Sequence, residues 1–371
     1  MKRSVFVSGR GAVSAYGRGT RALVDGVLSG ERAVRPRQRT LAFRAPTDVA
    51  AEYPGDVFPG LDEGELPYAG AIAACEEALE EAIGVDRSKL GLVFATTKAE
   101  LSGLVGPGDG LGLPIRLARR IARGLGVRGE VSSISTACAS GVSALAMAER
   151  RIASGEVDRM LVVGADALNQ FIMAGFGSMH ILDREPCRPF DLSRCGISLG
   201  DGAAAILLSR HESESVGFRL TGHGGANDAC TVTGCHREGL GVLLAVTRAL
   251  EQADLTPDAI DLIHLHGTGT KANDFSEATG LGRVFEGPTA PAFGSKGQTG
   301  HTLGAAGVIE ALIALGALEE GRLPANAGLL EPNVDARLKL TREAETLDRP
   351  QRVLKVAGGF GGIQQAIVFE R

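Results

Sequence analysis

Cysteine is scarce in this chain. Six thiols scattered over 371 residues are too few for a disulfide framework, so each is read as core filler, ligand or nucleophile. An excess of either charge is lacking too. The 44 acidic and 39 basic side chains leave a formal charge of −5, and a pI near 5.9 offers no whole-chain attraction for nucleic acid or an anionic membrane. No uncharged apolar run is long enough to span a bilayer, and the opening residues from Met1 to Gly9 alternate like a strand instead of forming a hydrophobic signal. A cytoplasmic location is expected, with no membrane and no nucleic-acid partner. Hydrophobic residues at 44% and charged residues at 22% exclude disorder for most of the length. Glycine is what the chain has in quantity: 52 residues, about twice the usual share, with no collagen-like period. It must serve tight turns and close backbone packing.

Short apolar runs bounded by glycine or polar turns predict ten strands: Ser4–Ser8, Leu90–Ala95, Val131–Ser135, Met160–Gly164, Ala203–Leu208, Gly217–Gly222, Asp261–His266, Ala290–Gly294, Val353–Ala357 and Gln365–Phe369. Helical stretches lie between them, among them Gly141–Ser154, Gly241–Gln252 and Ala305–Glu320. Continuous apolar strands alternating with helices predict an α/β fold whose sheet is covered on both faces. Two Ala-rich segments, from Gly141 and from Gly307, match at an offset of 166 residues. Each follows a Thr/Gly-rich turn with a reactive residue and ends at glycine, which suggests an internal duplication with both helices buried. The polar run Ser209–Ser215 has linker character and divides the chain into 1–212 and 213–371. Residues 30–70 read as an irregular insertion and 101–113 as a mobile glycine-rich loop. Arg116, Arg119, Arg120 and Arg123 fall on one face of a helix starting at Pro114, either a solvated side or a docking surface for an acidic partner.

Three segments carry chemistry. Ser135-Thr136-Ala137-Cys138-Ala139-Ser140-Gly141 joins a strand to a buried helix, and the positive end of that helix favours a thiolate at Cys138. Asp261 to Thr270 places His266 at a strand end before a hydroxyl-rich turn. Gly294 to Thr302 places His301 ahead of a helix, with Lys296 five residues upstream. A cysteine and two histidines in glycine-rich turns suggest covalent catalysis. Metal is not expected, because the three lack close ligand spacing.

At these segments the sequence resembles the elongating β-ketoacyl-acyl-carrier-protein synthases, the ketosynthases of the thiolase superfamily. Thr136-Ala137-Cys138-Ala139-Ser140-Gly141 matches the cysteine motif, Pro189-Phe190-Asp191 a Pro-Phe-Asp segment, and His266 to Thr270 the His-Gly-Thr-x-Thr motif. Lys296, His301 and Gly304–Gly307 match the Lys-x4-His element and its sequel, and Gly359–Gly362 the terminal Gly-Phe-Gly-Gly.

The resemblance implies two similar βαβαβαββ halves forming an α/β/α/β/α five-layered sandwich. It implies that Cys138 takes an acyl chain from a carrier protein, with the N–H groups of Cys138 and Phe360 as oxyanion hole. His266 and His301 would stabilise the enolate left when a malonyl carrier loses CO2, and Lys296 would orient or support His301. Thr268 and Thr270 would bind the pantetheine, and Phe360 would gate the chain pocket. The implied activity is decarboxylative Claisen condensation in fatty-acid or type II polyketide or polyene synthesis. No cofactor is implied beyond the phosphopantetheine that enters with the acyl carrier substrate. Dimerisation is implied, with itself or with a related ketosynthase-like subunit, and the alternative is a subunit or chain-length-factor-like partner of a heterodimeric polyketide system. A CoA-dependent thiolase would need a second cysteine in the terminal loop, where Gly358 to Gly362 contains none.

The chain departs from the pattern in three places. Asp201 stands for a glutamate, Gly358 for a phenylalanine, and Ile363-Gln364 for Thr-Asn. His264, two residues before His266, is unusual and is expected to pack.

Overall fold

The computed structural model describes residues 4–82, 84–98 and 113–371. Almost all of the glycine-rich stretch 101–113 lies outside the described residues. The first half runs β1 (Val5–Ser14), β2 (Gly17–Arg18), α1 (Thr20–Leu28), β3 (Arg35–Pro36), β4 (Val49–Ala50), α2 (Leu66–Glu81), β5 (Gly91–Ala95), α3 (Pro114–Leu125), β6 (Val131–Ile134), α4 (Ser140–Ser154), β7 (Arg159–Asp166), α5 (Gln170–Ser178) and β8 (Gly202–Ser209). The second runs β9 (Phe218–Asn227), α6 (Leu240–Ala253), β10 (Leu262–His264), α7 (Lys271–Phe285), β11 (Ala292–Phe293), α8 (Lys296–Thr299), α9 (Ala306–Glu320), β12 (Arg322–Leu323), β13 (Glu345–Thr346), β14 (Arg352–Gly359) and β15 (Ile363–Glu370).

All ten expected strands are present. They form one hydrogen-bonded succession, β11-β10-β14-β15-β9-β1-β8-β7-β5-β6. The two ends of that succession mirror each other. Numbered in chain order within each half, the five long-range strands of both halves lie in the order 3-2-4-5-1 from the outer edge inward. The halves meet where β1 pairs antiparallel with β9 over only three residue pairs, Val5↔Leu220, Phe6↔Arg219 and Val7↔Phe218. A short 3-10 turn, Glu212–Glu214, and the preceding residues connect β8 to β9, so the polar run is a link between the sets.

Three apolar layers hold the sheet. Helices α1, α4 and α9 fill the middle, α2 and α3 cover the first half's outer face, and α6 with α7 covers that of the second. The covering helices approach on the same device in both halves. A Cβ on Gly9 or Gly11 of β1 would stand 2.0 or 1.9 Å from the carbonyl oxygens of Ala78 and Ala74, and one on Gly222 or Gly224 of β9 2.2 or 2.1 Å from those of Ala249 and Ala245. In the middle layer, α4 and α9 touch backbone to backbone. A Cβ on Gly141 would lie 2.6 Å from the Val308 nitrogen, and one on Gly307 2.4 Å from the Val142 nitrogen. Only glycine allows helices so close. Every residue of α9 from Ala306 to Leu318 is buried, and both helices stop at a left-handed glycine, Gly155 and Gly321.

The expected insertion at 30–70 is shorter at its far end, because α2 begins at Leu66. Nor is it purely superficial: the short β3–β4 pair leads to Ala51 and Tyr53, which are buried. Among the described residues no helix is long and apolar enough to cross a membrane.

Candidate active site

The thiol sits in a pinned turn between β6 and α4. Ala137 adopts φ +50°, a left-handed setting uncommon outside glycine. It is held by Ser140, whose Oγ accepts from Thr136 N at 2.9 Å and donates to Ala137 O at 2.5 Å. Cys138 therefore follows a kinked residue and precedes the first helical turn. Burial, above all, pushes its thiol up to about 12, the Lys296 charge pulling the other way. Desolvation thus works against the helix end that favours the anion at Cys138.

His266 lies just past β10, in a turn wrapped around carboxylates from α7. His266 N and Gly267 N donate to Glu277 at 2.5 and 2.9 Å, while Thr268 N and Gly269 N donate to Asp274 at 3.0 and 3.2 Å. Burial raises Glu277 to about 7 even with those two donors. Thr270 caps α7, its Oγ1 accepting from Asn273 N, and lies 3.0 Å from the Thr268 hydroxyl. His301 is fixed by its backbone, donating from N to Ser198 O at 2.7 Å and accepting at O from Gly200 N at 3.0 Å. The two imidazoles stand edge to face, 5.5 Å apart at 86°. Burial first, and Lys296 second, hold both well below the usual histidine range, so both are neutral at pH 7.

Cys138, His266, His301, Thr268, Thr270 and Phe360 converge on one cavity of about 80 Å³. Phe360, in the turn joining β14 to β15, stacks on Phe176 of α5 with centroids 6.0 Å apart. Lys296 lies beneath the cavity. Its Nζ contacts His266 Nδ1 at 3.2 Å, the His266 carbonyl oxygen and Glu310. Its hydrogen bonds thus go to His266 and Glu310, and it acts on His301 through its charge. His264 packs, as anticipated, against Phe293 at 4.7 Å, with its Nε2 3.2 Å from Ser295 Oγ.

Sequence reading missed the groups that hold these residues. Glu310 is buried in α9 between Lys296 and Lys355, and its signal was a carboxylate in the apolar run ahead of the two glutamates that end the helix. Lys355 is a lysine in the middle of an apolar strand. Asp274 and Glu277, a helical turn apart on α7, had no such signal. Of the departures, Asp201 accepts from Leu168 N at 2.7 Å and Tyr53 N at 2.9 Å and pairs with Arg39. Gly358 and Gln364 line the cavity, and a Cβ on Gly358 would stand 3.4 Å from His266 Cδ2. Among the described residues no group of three or more His, Cys, Asp or Glu is placed to hold a metal ion.

Comparison with known proteins agrees with this geometry. Residues 72–214 match the model of the beta-ketoacyl synthase N-terminal domain and residues 218–330 that of the C-terminal domain. Nodulation protein E of Rhizobium meliloti (strain 1021) is 28% identical over 406 residues, covering 100% of both chains. The 3-oxoacyl-[acyl-carrier-protein] synthase 2 of Vibrio cholerae is 34% identical over 270 residues, covering 66% of this chain and 63% of that protein. Among solved structures, a beta-ketoacyl synthase from Burkholderia phymatum superposes with TM-score 0.89 at 25% identity over 100% of both chains. The ishigamide ketosynthase/chain length factor superposes with TM-score 0.89 at 27% identity, covering 100% of this chain and 99% of the other. A duplicated strand order, a thiol at one helix start and two imidazoles facing it thus have one shared explanation: the chain belongs to the beta-ketoacyl synthase family of thiolase-fold condensing enzymes.

Proposed function

We propose that this chain is a β-ketoacyl-acyl-carrier-protein synthase that condenses an acyl group held on Cys138 with malonyl carrier. The observation that carries the reading is the single cavity shared by Cys138 and two neutral imidazoles. In the first step Sγ attacks the thioester carbonyl of an acyl carrier. Its proton passes to a neutral imidazole and then to the departing carrier thiol, and the N–H groups of Cys138 and Phe360 receive the oxyanion. In the second step a malonyl thioester loses CO2, and the electron pair of the broken C–C bond becomes an enolate.

Lys296 facing Nδ1 of His266 fixes the tautomer with hydrogen on Nε2, a donor for the enolate oxygen. His301 supplies a second donor. The enolate carbon then attacks the acyl-cysteine, Cys138 leaves as thiolate and takes a proton from solvent, and the product is a 3-oxoacyl carrier two carbons longer. Thr268 and Thr270 hold the pantetheine, which arrives as part of the substrate, and no separate cofactor takes part.

The partners are acyl- and malonyl-loaded carrier proteins in the cytoplasm and a second ketosynthase-like subunit. A heterodimer is the favoured form of that pairing. The ishigamide ketosynthase/chain length factor resembles this chain closely, and so does a ketosynthase from Xenorhabdus doucetiae in complex with its chain length factor, at TM-score 0.84 and 26% identity over 99% of this chain and 98% of that one. Because Cys138 is retained, the chain takes the catalytic place in such a pair.

Intact-mass measurement after incubation with an acyl carrier tests the reading. The wild type gains the acyl mass, Cys138→Ala gains none, and malonyl carrier then releases a 3-oxoacyl product from the wild type alone. An adduct of equal yield on the alanine variant overturns the assignment.

A further inference from the structure

Behind His266 and His301 lies a buried charge cluster larger than the proposed reaction uses. Lys355 of β14 is fully buried, and its Nζ lies 2.8 Å from Glu310 Oε2. It also donates to the Val356 carbonyl and lies 3.5 Å from the Leu265 carbonyl oxygen. The other oxygen of Glu310 pairs with Lys296. One carboxylate thus spans two ammonium groups, and one of them touches His266. In the parallel β10–β14 ladder Lys355 stands opposite His264, so the same register brings a second unusual polar residue beside it. The groups facing Lys355 are Glu310 from α9, Lys296 from α8, Glu277 from α7, His264 and His266 from β10 and its end, and His301 from the turn ahead of α9. Its partner on β15 is the uncharged Ile367.

A lone Lys296–Glu310 pair would be neutral, and a neutral pair beneath the cavity exerts little field. Burying a second lysine is costly unless its charge is used or matched.

We infer that Lys355 is a positioning residue of the condensation: acting through Glu310 and Lys296, it adds a positive charge under the two imidazoles that offsets the buried carboxylates Glu310 and Glu277, which keeps the imidazoles unprotonated donors and favours the enolate. Burial draws Lys355 below the usual lysine range while Glu310 opposes that, and Lys355 contributes to the lowering of both His266 and His301. The direction follows from Coulomb's law: removing a cation lets the imidazoles take up a proton at higher pH.

This inference rests on the proposed condensing activity, and the experiment separates the two. CO2 release from malonyl carrier and acyl loading of Cys138 are followed from pH 5.5 to 8.5 for the wild type, Lys355→Met and Lys355→Arg, with near-UV dichroism confirming the fold at each pH. In Lys355→Met the acid limb of CO2 release moves to higher pH and its rate at pH 6 falls by about tenfold relative to its own rate at pH 8, and Lys355→Arg restores both. A folded Lys355→Met variant with an unmoved acid limb overturns the inference, as does a folded arginine variant no better than the methionine one. Should neither variant fold, the nitrogen-15 resonance of Lys355 in the wild type decides: an ammonium at pH 7 supports the role and a neutral amine overturns it. A wild type that loads no acyl group and releases no CO2 overturns the proposed function instead.

Discussion

The two halves of the molecule share a strand order and a central helix, yet they divide the chemistry unequally. The turn before α4 presents Cys138, while the segment before α9 presents His301 three residues farther from its helix, and His266 and Lys296 also belong to the second half. The buried carboxylates of the two helices differ in the same way. Glu149 of α4 meets His223 at 3.1 Å, away from the cavity, whereas Glu310 of α9 holds two lysines beneath it. One scaffold can therefore place a nucleophile on one side and proton handling on the other, because the turn ahead of each helix sets where its residue points and the rest of the half does not.

The hardest test of this likeness is the place where the halves touch. Gly141→Leu and Gly307→Leu each put a side chain into the other helix's backbone, and each should leave no soluble folded protein by size exclusion and dichroism. Gly155→Ala, at the left-handed end of α4, should cost only about 1 kcal/mol in denaturant unfolding. Folded leucine variants would show that the crossing does not hold the halves together.

The chemical division is tested next. His266→Ala and His301→Ala should each reduce condensation by about 100- to 10,000-fold while mass spectrometry still finds acyl groups on Cys138. Equal loss of loading and condensation would mean that the second half does not have the separate task given to it here.

The mildest effect is on stability against acid. His264, His266 and His301, all in the second half, are held well below 6.5 when folded. Their contribution to stability is full above the unfolded value near 6.5 and is lost as pH falls below it. The denaturant midpoint should fall between pH 7 and pH 5, and a flat profile would show that these rings are not buried neutral.

Much of the fold was legible because buried strands carry their own signal. Leu92 to Ala95 and Ala203 to Leu208 are apolar without interruption, and β5 and β8 are buried throughout. Helices with weaker periodicity were missed. α2 mixes alanine with glutamate, and α7 carries Asp274 and Glu277 inward for the sake of the His266 turn, so its pattern serves a loop and breaks the usual apolar stripe.

The site was legible at its reactive atoms, whose residue types and turn settings announce themselves. Their supports were not. Lys296 acts on His301 through its charge, while its hydrogen bond to His266 runs across 30 residues, a contact that no local pattern announces. The environment of the thiol was hidden for a similar reason: a helix start is visible in a sequence, but the desolvation of one sulfur depends on everything packed around it.

The contact of Gly141 with Gly307 has an architectural corollary. Cys138 stands three residues before one of these glycines and His301 six before the other, so both reactive groups are measured from a single fixed point. Insertions or deletions in the outer helices can reshape the walls that choose a substrate without altering the separation of sulfur and ring. A change of one residue between either reactive group and its glycine would displace that group alone, and the two would no longer share a substrate.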